Sequence, residues 1–343
     1  MSLIPMLHSV SYSGSWGQAA LSLEQFVDRA ADLGFRGVML MAKRPHLSVL
    51  DWDGKARAQL RKQLERRNIE CVCVAGYNNF TGDLEHADVP HREIQIHYIT
   101  ELARLASDLG GGVVRIFTGY ENPASTYHAQ WKLVVEALKE SARRANDFGV
   151  TLGIQNHHDI GVGYETFSDL IRAVDEPNCK AMFDAWAPAL HAVDLVAAAH
   201  KLAGLTVQTT VANYQRRPRY HYNSALVNYA EQMPYVQAVP IEEGFIDYAQ
   251  FLTALSEGGF QGAVAYEMCS PLLEGGGLEV LDRYASLFVE FLKRLNSELG
   301  SRQMSAEIAG VGSPRPNVRE GLRGQGDQSP SSVSHEKSRH YIL

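Results

Sequence analysis

Several features that mark particular classes of protein are missing from this 343-residue sequence. Basic residues are not in excess, because the net charge is -7 and the pI is near 6.0. Such a chain has no general attraction to nucleic acid or to an anionic membrane. No run approaches the roughly 18 apolar residues of a membrane span, and the N-terminal segment lacks the regions of a signal peptide. We therefore expect a cytoplasmic protein that acts on a small molecule and contacts neither nucleic acid nor membrane.

Cysteine is scarce as well, with four residues in the whole chain. None of them forms the Cys-x-x-Cys pair of a zinc site, and their spacing does not match that of a small secreted domain. We expect buried, reduced thiols. A Gly-x-Gly-x-x-Gly motif after the first predicted strand is also missing, which removes the support for a dinucleotide-binding fold.

The sequence does contain a repeated unit, in which a helix ends in Gly or Asn and a short apolar strand follows. In the first unit, Ser22 and Gln25 form a predicted capping box, and Gly34 is placed to end the helix. Eight strands of this kind are predicted, at residues 6–10, 35–41, 69–75, 113–118, 150–155, 179–184, 205–211 and 262–268. Eight strand-helix units predict an α/β fold of the (β/α)8 TIM-barrel type, and a doubly wound open sheet is the alternative.

The composition changes near residue 300. Residues 300–343 are rich in Ser, Gly, Pro and Gln, and they show almost no apolar periodicity. Such a segment cannot bury enough apolar surface to offset its ordering entropy. We therefore predict a catalytic barrel domain over residues 1–299 and a low-complexity, disordered tail over residues 300–343.

Four consecutive predicted strands carry a polar residue near the carboxyl end. They are Gln155, Asp184, Gln208 and Glu267. In a parallel barrel these ends converge on one mouth, where active sites are built. Any one of them alone would more often be a cap or a loop hydrogen bond. Together, four oxygen donors of this kind indicate a site for one divalent cation such as Mg²⁺ or Mn²⁺.

Two histidines follow the fifth predicted strand directly. His157 has the same strand parity as Gln155, so we expect it to point into the mouth as a general base or an extra ligand, with His158 beside it. A loop histidine bonded to backbone is the alternative.

Basic and aromatic residues are predicted around the same mouth. Arg217 and Arg219 fall in a predicted loop after the seventh strand, where guanidinium groups suit a phosphate, carboxylate or polyol substrate. A solvated run of charge is an almost equal alternative. Lys43 and Arg115 add positive charge, and Trp186 is placed to stack on a sugar ring.

Three motifs give the chain a resemblance to a known family. They are Pro240-Ile-Glu-Glu-Gly244-Phe-Ile-Asp247-Tyr, Gly259-Phe-Gln-Gly262 leading into Val264-Ala-Tyr-Glu267, and Ala181-Met-Phe-Asp184. Across about residues 5 to 296 the chain resembles the xylose-isomerase-like barrels, the sugar phosphate isomerases and epimerases. The resemblance implies one divalent cation, Mn²⁺, Mg²⁺ or Co²⁺, held by residues from strands five to eight. It also implies two glutamates that exchange protons with the substrate on opposite faces.

One position departs from the family pattern. Asp184 and Glu267 match it, and Gln208 occupies the place of a His or Gln ligand, but Gln155 stands where the family has a glutamate. A glutamine can ligate through its amide oxygen and cannot act as a base. A two-base epimerisation would then require His157 or His158 to replace the carboxylate, with Glu267 as the remaining catalytic acid-base group.

The resemblance implies a metal-dependent isomerase, epimerase or lyase that acts on a sugar or keto-sugar through an enediolate. Cleavage of 3-keto-glycosides, decarboxylation and dehydration are lyase alternatives within the same superfamily. A homo-oligomer and a small partner subunit are both open. A non-catalytic carbohydrate-binding or partner subunit with a decayed metal site is the alternative from another class. An endonuclease IV-type phosphodiesterase is disfavoured, because Ala187 stands where such an enzyme has a histidine.

Overall fold

A computed structural model of the chain describes residues 2–311, with side chains described as far as Arg302. Its strands are β1 (Ile4–His8), β2 (Gly37–Met41), β3 (Glu70–Ala75), β4 (Val113–Ile116), β5 (Thr151–Gln155), β6 (Cys179–Met182), β7 (Gln208–Val211), β8 (Asn213–Asn223), β9 (Asn228–Val239) and β10 (Ala263–Tyr266). Eight of them form a parallel sheet in the order β6-β5-β4-β3-β2-β1-β10-β7. The predicted TIM-type barrel is confirmed.

Nine α-helices lie within the described residues. They are α1 (Leu23–Asp32), α2 (Gly54–Arg67), α3 (His91–Asp108), α4 (Tyr127–Asn146), α5 (Tyr164–Val174), α6 (Trp186–Leu190), α7 (Leu195–Leu202), α8 (Tyr248–Glu257) and α9 (Leu278–Val311). The predicted capping box is present, because Ser22 and Gln25 exchange side chain to backbone hydrogen bonds at the start of α1. Gly34 follows that helix with a φ of +84°, the left-handed conformation expected of it. Over residues 2–311, no helix combines the length and the apolar character needed to cross a bilayer.

The barrel interior is a packed core below the mouth. Six barrel strands contribute buried side chains to it, namely Met6, Met39, Cys73, Ala75, Val113, Met182, Ala263 and Ala265. A second, larger cluster of buried side chains includes apolar residues of both strands and helices. Polar side chains therefore come together at the carboxyl ends of the strands, where the interior core stops.

The barrel closes between β6 and β7, although these two strands lack a regular ladder. One backbone bridge joins Ala181 to Thr206, and the N–H of Val207 donates to the carbonyl of Ala181 at 2.9 Å. A side chain supplies a further link, because the Thr209 hydroxyl donates to the Phe183 carbonyl at 2.7 Å. The seam between β6 and β7 is thus held in part by a side-chain hydroxyl.

The predicted loop after the seventh barrel strand is wrong. Residues 213–223 are β8, which pairs with β9 as an antiparallel hairpin. The register shifts by one residue between the pairs Arg217–Tyr235 and Arg219–Gln232. Polar residues and a proline made this segment resemble a loop, whereas its backbone hydrogen bonds are satisfied by a strand that begins at Asn228.

The last helix crosses the predicted domain boundary. α9 continues past residue 299 to Val311, so the first part of the segment expected to be a tail is helical. Residues 312–343, where the rest of the predicted tail falls, lie outside the described residues.

Candidate active site

A cavity of about 460 Å³ opens at the carboxyl ends of the barrel strands. Most of the residues singled out from the sequence line it: Lys43, Arg115, Gln155, His157, His158, Asp184, Trp186 and Glu267. The strands deliver these side chains because the carboxyl ends of parallel strands meet at one face of a barrel. Three predicted site residues, Gln208, Arg217 and Arg219, are not among the side chains that line the cavity.

Gln155 and Asp184 form a buried polar pair at the floor of the cavity. The Gln155 Nε2 donates to Asp184 Oδ2 at 2.5 Å and lies 3.2 Å from the Thr210 hydroxyl. That hydroxyl in turn lies 3.3 Å from Asp184 Oδ2. The other carboxylate oxygen of Asp184 accepts the backbone N–H of Trp186 at 3.0 Å.

The electrostatics of Asp184 follow from its burial. Loss of hydration raises its pKa to about 6, although the hydrogen bonds from Gln155 and from the backbone of Trp186 favour the ionised form. Repulsion from the charge of Glu267 adds to the upward shift. A positive charge next to Asp184 would favour its ionised form.

From the seventh barrel strand, Thr210 lines the cavity, whereas Gln208, the predicted ligand on this strand, does not. Gln208 is the first residue of β7 and pairs with Ala263, whereas Thr210 lies two residues nearer the mouth. The Gln208 amide is buried inside the barrel, where its Nε2 lies 3.4 Å from the Met39 sulfur. Both residues face inward, so parity alone did not distinguish them.

Glu267 stands directly after β10, next to two groups that the sequence did not single out, of which one hydrogen-bonds it. Its Oε1 accepts the Cys269 thiol at 2.8 Å and lies 3.8 Å from the His8 Nε2. His8 is fully buried, and burial keeps its pKa well below the usual value, so the ring is neutral. Because its Nδ1 accepts the N–H of Val10, the hydrogen of the neutral ring lies on Nε2, toward Glu267.

His157 and His158 line the cavity wall next to one another. The backbone N–H of His158 donates to the His157 Nδ1 at 2.7 Å, and the two Nδ1 atoms are 2.9 Å apart. His157 is an exposed residue of this wall. Desolvation against Phe117, followed by the charge of Arg115, still lowers the pKa of His157 to about 4. Desolvation lowers the pKa of His158 to about 3, so both rings are neutral at pH 7.

The tautomer of His157 limits what this ring can do. A neutral imidazole carries one hydrogen, and here Nδ1 is the acceptor of the His158 N–H. The hydrogen therefore lies on Nε2, and the ring offers a donor to the cavity. His157 was predicted to be the general base, and in this arrangement it suits a hydrogen-bond donor better.

Arg217 and Arg219 lie on the hairpin, outside the cavity lining. Side chains alternate along β8, so these two arginines share one face of the hairpin. Tyr214, which does line the cavity, lies on the opposite face together with Tyr220. The two predicted substrate-binding arginines thus point away from the hairpin face that continues the cavity wall.

Three functional candidates, His8, Thr210 and Cys269, were missed from the sequence. A signal existed for each of them. His8 is the last residue of a barrel strand, Thr210 has the parity of its ligand-bearing neighbours, and Cys269 lies two residues beyond Glu267. None of these signals outweighs the ordinary interpretation of a buried side chain.

The family assignment rests on the sequence as well as on the geometry. A family model described as "Xylose isomerase-like TIM barrel" matches residues 27–284. The chain belongs to this family. No curated protein sequence matches the chain.

Solved structures of xylose isomerase-like barrels share the fold at low sequence identity. An L-ribulose 3-epimerase is 18% identical, with a TM-score of 0.67 over 92% of this chain and 100% of that one. A probable 3-DHS dehydratase from Bacillus anthracis is 15% identical, with a TM-score of 0.62 over 84% and 99%. A xylose isomerase-like barrel protein from Mycobacterium smegmatis, solved in complex with magnesium, is 15% identical, with a TM-score of 0.60 over 87% and 97%.

The donor set of this xylose isomerase-like barrel fits a divalent cation with few acidic ligands. Across residues 2–302, no cluster of three or more His, Cys, Asp or Glu side chains is arranged for metal binding. The cavity does bring together two carboxylates, of Asp184 and Glu267, one amide of Gln155 and one hydroxyl of Thr210. Oxygen donors of this kind suit Mg²⁺ or Mn²⁺, with water completing the coordination.

Proposed function

We propose that the protein is a divalent-metal-dependent isomerase, epimerase or lyase that acts on a sugar or keto-sugar by proton transfer next to a carbonyl. One observation carries this proposal. Asp184 and Glu267, from the ends of two barrel strands, line one cavity together with an amide, a hydroxyl and two neutral histidines. Proton transfer beside a carbonyl needs a positioned base and groups that stabilise the developing oxyanion, and this cavity offers both.

Asp184, Glu267, Gln155 and Thr210 are the residues that would hold the cation, for which Mn²⁺, Mg²⁺ and Co²⁺ are the candidates. When bound, such an ion supplies Lewis-acid stabilisation of charge on a substrate oxygen. The Gln155 amide donates to Asp184, so its oxygen would have to turn toward the ion. The oxygen and nitrogen of an amide occupy nearly the same space, so this exchange requires only a rotation of the end group.

Glu267 is assigned as the residue that moves the proton. Its carboxylate faces the cavity and accepts the Cys269 thiol, while the neutral His8 lies beside it. The thiol hydrogen bond orients the carboxylate and leaves its second oxygen for the cation and the substrate. His157 is assigned as the donor to the substrate oxygen, because its Nε2 carries the hydrogen.

A single carboxylate base favours some reactions over others. A two-base epimerisation needs a second base on the opposite face of the substrate, and Gln155 cannot be that base. Aldose-ketose isomerisation with one shuttling base, and elimination by a lyase, both remain compatible with the site. The fold shared with a probable 3-DHS dehydratase supports elimination, whereas the reaction of the L-ribulose 3-epimerase that shares the fold would need a second base in this cavity.

A second candidate function is a non-catalytic carbohydrate-binding or partner subunit. It is favoured by the neutral residues Gln155 and Thr210 at two of the four ligand positions. Such a protein would bind sugar in the cavity without binding a metal ion.

One experiment separates these candidates. The full chain is incubated in D₂O with keto-sugars and 3-keto-glycosides, in the presence of Mn²⁺, Mg²⁺ or Co²⁺, and products and deuterium incorporation are followed by NMR. Catalysis predicts deuterium at the carbon next to the carbonyl, loss of activity in EDTA and loss in Glu267→Gln. Sugar binding without exchange, product or bound metal would replace this proposal by the non-catalytic one.

A further inference from the structure

Arg115 is the one buried Arg or Lys side chain among residues 2–302. It lies on β4 with 1% of its surface exposed, and it lines the cavity. A cationic side chain taken out of water is costly unless an anion or several acceptors compensate it. The hydrogen-bond acceptors and anions around this guanidinium therefore indicate its role.

The compensation within the protein is incomplete. Arg115 Nη1 donates to the Gly76 carbonyl at 3.1 Å, and its Nε has no hydrogen-bond partner. No carboxylate of the described residues lies within 4 Å of it. The two acids of the cavity are engaged elsewhere, since Asp184 accepts from Gln155 and Glu267 from a thiol.

Aromatic rings surround the charge without neutralising it. The guanidinium carbon lies 4.1 Å from the ring centroid of Phe117 and 4.9 Å from that of Tyr77. Lys43 places its Nζ 4.1 Å from the same tyrosine ring, nearer the opening. The Tyr77 hydroxyl is buried beside the Arg115 guanidinium and donates to no acceptor. One wall of the cavity thus carries two cations that have no carboxylate partner and a hydroxyl that has no acceptor.

We propose that this wall binds a carboxylate of the substrate, so that the cavity takes a sugar acid or keto-acid and not a neutral sugar. The inference rests on the proposed function and specifies its substrate class. A carboxylate matches the planar guanidinium with two oxygens and one charge, and Lys43 and Tyr77 add donors. A phosphate is the alternative anion for two neighbouring cations, and competition with inorganic phosphate separates it from a carboxylate.

The position of this wall also orients the substrate. Arg115 lies on β4, and the proposed proton-transfer residue Glu267 follows β10, across the cavity mouth. A sugar acid anchored by its carboxylate at Arg115 would extend its carbon chain toward Asp184 and Glu267. The acid group would thus select the substrate, and the opposite side of the cavity would perform the chemistry.

The test compares matched acids and neutral sugars on the full chain with Mn²⁺ present. Binding of glucuronate against glucose, and of galacturonate against galactose, is measured by calorimetry, with inorganic phosphate as a competitor. We expect the acids to bind at least about tenfold more tightly, which is the scale of one charge-assisted contact. Arg115→Met should remove this preference and Arg115→Lys should keep part of it. The exposed hairpin variant Arg219→Gln is the matched control and should keep all of it.

Stability supplies a second readout. Removing an uncompensated buried charge should leave the melting temperature of ligand-free Arg115→Met unchanged or raised. A lower melting temperature with the acid preference intact would show that Arg115 is structural and would overturn the proposal. If Arg115→Met does not fold, the wild-type preference and Arg115→Lys decide the question.

The remaining outcomes are equally decisive. Equal binding of acids and neutral sugars, or phosphate competing more strongly than the uronates bind, would overturn the carboxylate assignment. Turnover of neutral keto-sugars without any acid preference would leave the proposed function standing and remove this inference. If Arg115→Met abolishes an acid preference in a protein that shows no turnover, this inference stands and the proposed function is removed.

Discussion

Gln155 donates its amide nitrogen to the Asp184 carboxylate at 2.5 Å, at the position where related barrels were expected to have a glutamate. A glutamate in the same place would bring a second carboxylate against Asp184. The pair would then repel unless a cation or a proton lay between them. With glutamine at position 155, the Gln155–Asp184 pair carries at most one negative charge. The pair is therefore stable without a bound cation.

Gln155→Glu is therefore expected to tighten divalent-metal binding by about tenfold, because affinity rises with the number of charged ligands. Turnover should not improve, since the added negative charge weakens the ability of the ion to polarise a carbonyl. In EDTA the variant should melt at a lower temperature than the wild type, and Mn²⁺ should reverse this difference. Thr210→Val serves as the control, since it removes a neutral oxygen and should weaken metal binding. Unchanged metal affinity in Gln155→Glu would place the ion elsewhere.

Glu267→Gln is expected to lower kcat by about 10²-fold or more when the assay is saturated with metal, which is the usual loss on removing a general base. His157 is tested by two variants in the same assay. His157→Gln keeps an N–H donor and should retain activity within about tenfold of the wild type, whereas His157→Ala should lose about 10²-fold. If both histidine variants are equally inactive and Glu267→Gln is active, the base is His157.

Arg217→Gln combined with Arg219→Gln is expected to leave kcat/KM within about twofold of the wild type. Both side chains lie outside the cavity lining, on the hairpin face opposite that of Tyr214. Lys43→Gln is the comparison variant. Lys43 lines the cavity, so its substitution should raise KM for acidic substrates. A large loss in the double arginine variant would show that the hairpin closes over the substrate.

The burial of His46 predicts how the free energy of unfolding depends on pH. His46 is buried between the Ser9 hydroxyl and the Leu21 carbonyl, and burial lowers its pKa below the usual 6.5. As the pH falls through 6.5, the His46 imidazole is therefore protonated in the unfolded chain and stays neutral in the folded protein. Stability from this residue is present above pH 6.5 and is lost as the pH falls below that value. Urea unfolding of His46→Gln should show a flatter acid limb, and the exposed control His128→Gln should match the wild type.

Much of the fold could be predicted because its signals are local. A capping box at Ser22 and a left-handed Gly34 mark the two ends of one helix, and most barrel strands are short, largely apolar runs. The hairpin was missed although its two strands are adjacent in the chain. β8 has polar residues on both faces, so no alternation of polar and apolar residues revealed it.

The candidate site was predictable to the level of strands and not of positions. Asp184 and Glu267 were identified because each is the first acid after an apolar strand. Gln208 was identified because it occupies the place of a His or Gln ligand in the family pattern, and Thr210 was not singled out. Which of the two residues reaches the mouth depends on how far β7 is displaced along the barrel axis relative to β10. Strand pairing such as Thr210–Ala265 sets that displacement, and no local sequence pattern encodes it.

The seam between β6 and β7 makes one side of the barrel easier to part than the others. Asp184 and Thr210 extend from its two edges, so thermal breathing of the seam would change the spacing of two proposed cation ligands directly. Amide hydrogens along these edges should exchange with solvent sooner than those of the fully laddered strands. A cation bound by both Asp184 and Thr210 would link the two strands. Loading with metal should therefore slow amide hydrogen exchange more at this seam than elsewhere in the barrel.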